Sequence, residues 1–261
     1  MLYPTKTLSS TEWDWWRIAR LALPFAVAFG AVLLVETVLV AKIDLWLPVD
    51  SFQVGARYTI YVSAVGLWLR LCVIGAGAFF SLKSLGRSPG DQFLLFWILV
   101  CLGLALSLMA VDFWSYQLQF VGSGGSSEST RWSWLATLYV RVALYYIATR
   151  LLLGASCVGR NRGSRLAAAW TATTTMQSMV WFLALLVIKL FVDGVLVNLI
   201  SFAPVIAPFW FIPDELSPMR YFAGYGIDIL AQSCGVFFYI AFWIAADRRF
   251  RAPVPESHPR E

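Results

Sequence analysis

Charge is scarce in this 261-residue chain and histidine almost absent: 13% of residues are charged, and the single imidazole, His258, lies in the polar C-terminal tail. Soluble domains carry about 25% charge. With 59% apolar residues and a mean hydropathy of +0.70, the chain has too little polar side chain to cover a water-soluble core. The missing imidazole argues against haem carriers, zinc proteases of the H-E-x-x-H type and Ser-His hydrolases, each of which needs a histidine at the chemistry. An enzyme built here would be left with Ser/Lys, carboxylate or substrate-assisted chemistry, so a non-enzymatic role is preferred and no catalytic residue, cofactor or metal ligand is assigned. Cysteine is also sparse. Cys72, Cys101, Cys157 and Cys234 stand singly in apolar runs, without the close pairing of a metal or redox motif. No glycine-rich nucleotide loop is present, so any ATP or GTP must bind a partner.

What the chain has in quantity is apolar sequence in spanning lengths. Five runs, Leu21 to Ala41, Tyr58 to Leu82, Gln92 to Tyr116, Ser133 to Cys157 and Tyr221 to Ala246, meet the requirement of about 20 residues per crossing, and Leu166 to Leu190 makes a sixth. Trp46, Tyr58, Tyr116, Trp132, Trp134 and Tyr221 lie near run ends, as interfacial aromatic belts do. Ahead of the first run, a capping-box pattern from Ser9 to Glu12 and the group Trp13, Asp14, Trp15, Trp16, Arg17 and Arg20 read as an interfacial helix. No small-residue cleavage site follows, so the first run is expected to stay attached.

Phe191 to Ile212 is apolar enough to suggest a seventh crossing, but Pro204, Pro208 and Pro213 interrupt it. Charge settles the parity. Lys83 and Arg87, then Arg160, Arg162 and Arg165, then Arg248, Arg249 and Arg251 mark alternate connections, and six crossings put all three clusters on the cytoplasmic side. The net charge of +5 is spent on these clusters, which is the pattern of a topology signal and not of a nucleic-acid surface. The expected fold is therefore all-α: a polytopic bundle of six transmembrane helices with both termini cytoplasmic. Residues 1–20 form a cytoplasmic N-terminus, 21–246 the membrane domain and 247–261 a basic tail. Phe191 to Arg220 becomes an external hairpin between the fifth and sixth helices. It is re-entrant only if protein or a cavity satisfies its backbone, because lipid cannot.

Ionisable residues within the runs are the strongest functional signal, since each costs about 2.5–3.5 kcal/mol at a helix centre on insertion scales. Counting about 1.5 Å per residue puts Arg70 near the midplane and Glu36, Asp112, Arg141, Lys189 and Asp228 in the external half, with Asp193 one turn beyond Lys189. Acids and bases at overlapping depth can compensate one another, which predicts one outer polar cluster of these seven residues. It would serve as an ion, proton or polar-substrate path; the bland alternative is that the pairs lock helix register, with Asp112, Lys189 and Asp193 snorkelling to the external interface. Arg150 has no acidic residue at its depth. Thr171, Thr174, Thr175 and Gln177, with Thr173, come from the same inner level and could form a polar seam with it; a lipid phosphate or another subunit are the other partners to consider. The Gly75 to Ala78 run reads as a close-packing surface.

The order of features resembles the permease subunits of ABC-2-type exporters, with six helices, cytoplasmic ends and an external re-entrant hairpin before the last helix. Phe202 to Tyr221, with Pro204, Pro208, Pro213 and Pro218, would be that hairpin, followed by a helix ending in Arg248 and Arg249. The likeness is one of architecture. It implies a transport or translocation subunit energised by a separate protein, such as an ATPase. The competing expectation is a membrane scaffold, assembly or immunity-type protein whose buried charges bind partner helices. Either reading has the lipid bilayer and other membrane or cytoplasmic subunits as partners, allows a second copy of the chain, and suits a bacterial cytoplasmic membrane.

Overall fold

In the computed structural model the described residues are 15–46, 52–86, 89, 92–120, 127–155, 165–201 and 217–250. Their regular structure is entirely helical. In chain order come α1 (Trp15–Trp46), α2 (Phe52–Ser84), α3 (Phe93–Phe120), α4 (Ser127–Leu153), α5 (Arg165–Thr171) and α6 (Thr175–Leu190). A π-helical turn (Phe191–Leu196), α7 (Val197–Ser201) and α8 (Ser217–Phe250) follow. Six helical stretches are long and apolar enough to cross a bilayer: Trp16–Ala41, Val54–Ser84, Phe93–Gln117, Ser133–Leu153, Thr175–Leu199 and Tyr225–Arg249. This is the architecture of an integral, multi-pass membrane protein.

Five of these stretches coincide with the expected runs. The fifth does not. A continuous helix was expected over Leu166 to Leu190, but the chain breaks between Thr171 and Thr175 and the crossing is displaced towards the C-terminus, ending at Leu199. The cause is local. Thr174 adopts an extended conformation (ψ 157°), its hydroxyl accepts from the Gln177 N–H, and the Gln177 side chain accepts from the Thr174 N–H. This reciprocal capping box starts a new helix where the apolar run alone reads as uninterrupted. The start of the expected hairpin is likewise helical as far as Ser201. Pro204, Pro208 and Pro213 lie outside the described residues, and Pro218 sits in the first turn of α8, where a missing N–H costs no helical bond.

The principal core lies in one half of the bundle. It joins Ile18, Ala22, Phe29 and Leu33 of α1, Ile74, Ala78 and Leu82 of α2, and Phe93, Trp97 and Cys101 of α3 to Leu152 and Leu153 of α4 and Val236, Ile240, Trp243 and Ala246 of α8. These belong to the half that also carries Arg17, Lys83, Arg150 and Arg248, here called the basic end. Trp97 organises the core. Only 1% exposed, it donates from its indole N–H to the Leu71 carbonyl (2.9 Å) and meets Trp243 edge-on at 4.9 Å. Its ring fits only because position 75 lacks a side chain, and Gly77 similarly receives Ile240, so the Gly75 to Ala78 run is a packing surface as expected. At the rim, an Arg17 Nη donates to the Ser84 carbonyl (2.6 Å), setting a cation on the negative end of α2.

Candidate functional site

The polar residues of the opposite half come together as pairs. Glu36 of α1 meets Arg70 of α2: Nη2 lies 3.2 Å from Oε2 and donates, at 3.4 Å, to Oε1, while Arg70 Nε donates to the Gly66 carbonyl at 3.2 Å. Both side chains are largely buried. The carboxylate rests against α2 at Gly66, where any added Cβ would overlap it. Oε2 itself is buried and has the ion pair but no aligned hydrogen bond. Asp112 of α3 accepts from Arg141 of α4 in a direct ion pair, with 32% and 45% of the two side chains exposed.

The third group is built by the π turn. Asp193 pairs with Lys189 one turn earlier (2.7 Å), and its second oxygen accepts from the amide of Gln232 on α8. Val192, fully buried, fits against Gly235 of α8, and the Asn198 side chain donates to the Gly194 carbonyl within the widened turn. A π turn admits one extra residue and changes the direction of the side chains beyond it, and such turns recur at functional sites. The Lys189 and Asp193 side chains are 61% and 38% exposed, so the expectation that they snorkel to the external interface stands beside their pairing.

Six of the seven residues expected in the outer cluster are thus paired, in three groups drawn from different helices. No hydrogen bond or ion pair among the described residues joins one group to another, so the single outer cluster that was expected is present as three separate groups. Asp228 is not among them: it is exposed and makes no ion pair with a described residue. Sequence reasoning passed over Gly66 and Gln232. An amide at position 232, inside the apolar run of the last crossing, was a readable signal; the role of Gly66 depends on a neighbour distant in sequence.

At the basic end the expected seam is only partly formed. Arg150, in the last turn of α4, donates to Thr175 Oγ1 (3.4 Å) and to the carbonyls of Thr173 (3.2 Å) and Trp170 (3.5 Å), and its guanidinium stacks 3.9 Å from the centre of the Trp170 ring. Of the residues proposed beside it, Thr175 alone contacts it by side chain. Thr174 and Gln177 serve the capping box, and the Thr171 hydroxyl donates to the Ala167 carbonyl. Those three are engaged with their own helix ends, as Ser, Thr and Asn side chains tend to be. One turn further in, the Tyr146 and Ser178 hydroxyls meet at 3.0 Å and extend polar contact between α4 and α6. Close approach of the chain here depends on Gly154, against which the backbone of Ala169 is pressed.

A cavity of about 570 Å³ opens between α3 and α4. It is lined by Val100, Gly103, Leu104, Ser107, Leu144 and Ala148 among others, and includes none of the paired charges. Among the described residues no group of three His, Cys, Asp or Glu side chains could hold a metal ion. Comparison with known proteins found no matching family model, no matching curated protein and no matching solved structure.

Proposed function

We propose that the chain is the membrane-embedded subunit of a transport or translocation system, without a nucleotide site of its own and energised by a partner. The observation that supports this reading is the charge belt. Each of the six crossings contributes a polar member: Glu36, Arg70, Asp112, Arg141, the Lys189–Asp193 pair and Gln232. Register could be locked with hydrogen bonds at less cost than with six ionisable groups, so a belt of this size is better accounted for by exchange of its partners with a passing proton, ion or polar solute. The resemblance of the order of features in the sequence to ABC-2-type permeases is in keeping with this reading, which takes the basic clusters to lie on the cytoplasmic side.

A second reading, that of a scaffold or assembly protein, is favoured by one feature. Arg141 and Asp112 are substantially exposed on the isolated chain, and a partner helix would shield them from lipid.

Flux into dye-loaded vesicles carrying the purified chain and its co-purifying proteins tests the first reading. Wild type is expected to pass protons or small ions above empty vesicles, with Glu36→Gln and Arg141→Gln each lowering the rate at least ten-fold. Equal flux in wild type, both variants and empty vesicles, with no ATPase co-purified, would sink it.

A further inference from the structure

At the junction of α4, α5 and α6, Arg150 forms no ion pair with a carboxylate among the described residues. From position 142 to position 192 the sequence contains no Asp or Glu, yet includes Arg150, Arg160, Arg162, Arg165 and Lys189. Among the described residues Arg150 has only neutral acceptors and the Trp170 ring. Its Nε–H, among the described residues, is buried without an acceptor. So is the hydroxyl of Thr173, a residue only 3% exposed whose carbonyl accepts from the same guanidinium. Two buried polar atoms without partners at one junction indicate a missing polar group there.

The surroundings select the charge of that group. Arg150 stands in the last turn of α4 and on carbonyls that end α5, which favour its charge, but its Nη1 also lies against Thr175, the first residue of a 16-residue helix, and so meets the positive end of that dipole. Two like potentials side by side are relieved by an anion that touches both. The Thr175 hydroxyl accepts from Arg150 and keeps its own proton to donate. Thr171, Thr174 and Thr175 are exposed, which leaves the junction open from the side. Depth selects the source. Arg150 is three residues from the end of its crossing, about 4.5 Å, and stacks on a tryptophan, the level at which lipid phosphates and interfacial indoles lie.

We infer that the α4–α5–α6 junction is a phosphate-binding site, with Arg150 and Thr175 as its ligands, occupied by the headgroup of an anionic phospholipid. Basic pockets between transmembrane helices are suited to such headgroups. The assignment is independent of whether the chain transports anything.

Native mass spectrometry of the full chain, released from mixed micelles containing phosphatidylglycerol and phosphatidylcholine in equal amount, tests it. Wild type should retain phosphatidylglycerol in preference to phosphatidylcholine by at least five-fold. Arg150→Gln should abolish the preference and Thr175→Val should reduce it by half or more, while Thr175→Val keeps the carbonyl contacts of Arg150 and so guards against misfolding. Inorganic phosphate added at millimolar concentration provides the second arm. Displacement of the lipid by phosphate, or saturable Arg150-dependent phosphate binding without lipid preference, would keep the phosphate site and transfer its occupant to the free ion. Equal retention of both lipids by wild type and both variants, with no phosphate binding, overturns the site.

Discussion

At position 66 a single methyl group decides whether an ion pair can form. The Glu36 carboxylate occupies the space a side chain would fill and keeps Arg70 compensated in a low-dielectric setting. Gly66→Ala is therefore expected to displace Glu36 and to lower stability by about 1–3 kcal/mol, as overfilling a packed site does. Gly103→Ala, whose added carbon would meet nothing within 4 Å, should be near neutral. Thermal unfolding in detergent compares the two, and a Gly66→Ala midpoint equal to that of Gly103→Ala would remove the packing role. At this scale the sequence was informative about charge and silent about geometry. The cost of ionisable side chains in lipid singled out Glu36, Arg70, Asp112, Arg141, Lys189 and Asp193, all of which are paired. It also singled out Asp228, which has no ion pair among the described residues, because depth along one helix carries no information on which face the residue takes. Gly66 and Trp170 were missed for a related reason: their importance comes from what packs on them, Glu36 in one case and the Arg150 guanidinium in the other.

The six elements that cross were legible as apolar runs, since spanning length is set by bilayer thickness and little else. Where the fifth begins was not, because four threonines in a row of apolar neighbours do not lower hydropathy enough to end a run. The T-x-x-Q pattern from Thr174 to Gln177 held the information and was read as a polar seam instead of a helix start. Thr174→Ala should cost about 1 kcal/mol by removing the side-chain cap. If α5 and α6 then fuse, backbone exchange at Thr175 and Met176 would slow; with the cap alone lost, it accelerates. Hydrogen exchange of the purified protein is expected to give the second result, because the packing of Ala169 against Gly154 keeps the two helices apart without the cap; slower exchange would mean that the cap alone set the break. The π turn was invisible to hydropathy altogether, since Phe191–Leu196 is apolar apart from Asp193 and winding leaves no mark on composition.

For the whole molecule, apolar length gives six candidate crossings among the described residues, while the parity and the sidedness proposed here follow from the basic clusters. Single cysteines introduced at Ser126 and Ser164 into a cysteine-free background should react with an impermeant reagent from opposite faces of sealed vesicles. Labelling of both from one face would refute the six-crossing arrangement. Sequence reasoning placed the charges in the half away from the basic clusters but did not anticipate that the principal core would be confined to the other half. That division needs the tertiary meeting of Trp97 with Trp243 and of Leu82 with Leu153 and Ala246, contacts between residues far apart in the chain.

The division has a mechanical meaning. Aromatic packing around Trp97 clamps α1, α2, α3, α4 and α8 at the basic end, whereas the ion pairs bridge the helices two at a time where fewer apolar contacts hold them. A bundle clamped at one end behaves as a set of levers with a common fulcrum. If the chain works with a partner as proposed, small rotations about the tryptophans at the basic end would become larger separations at Glu36, Asp112 and Lys189.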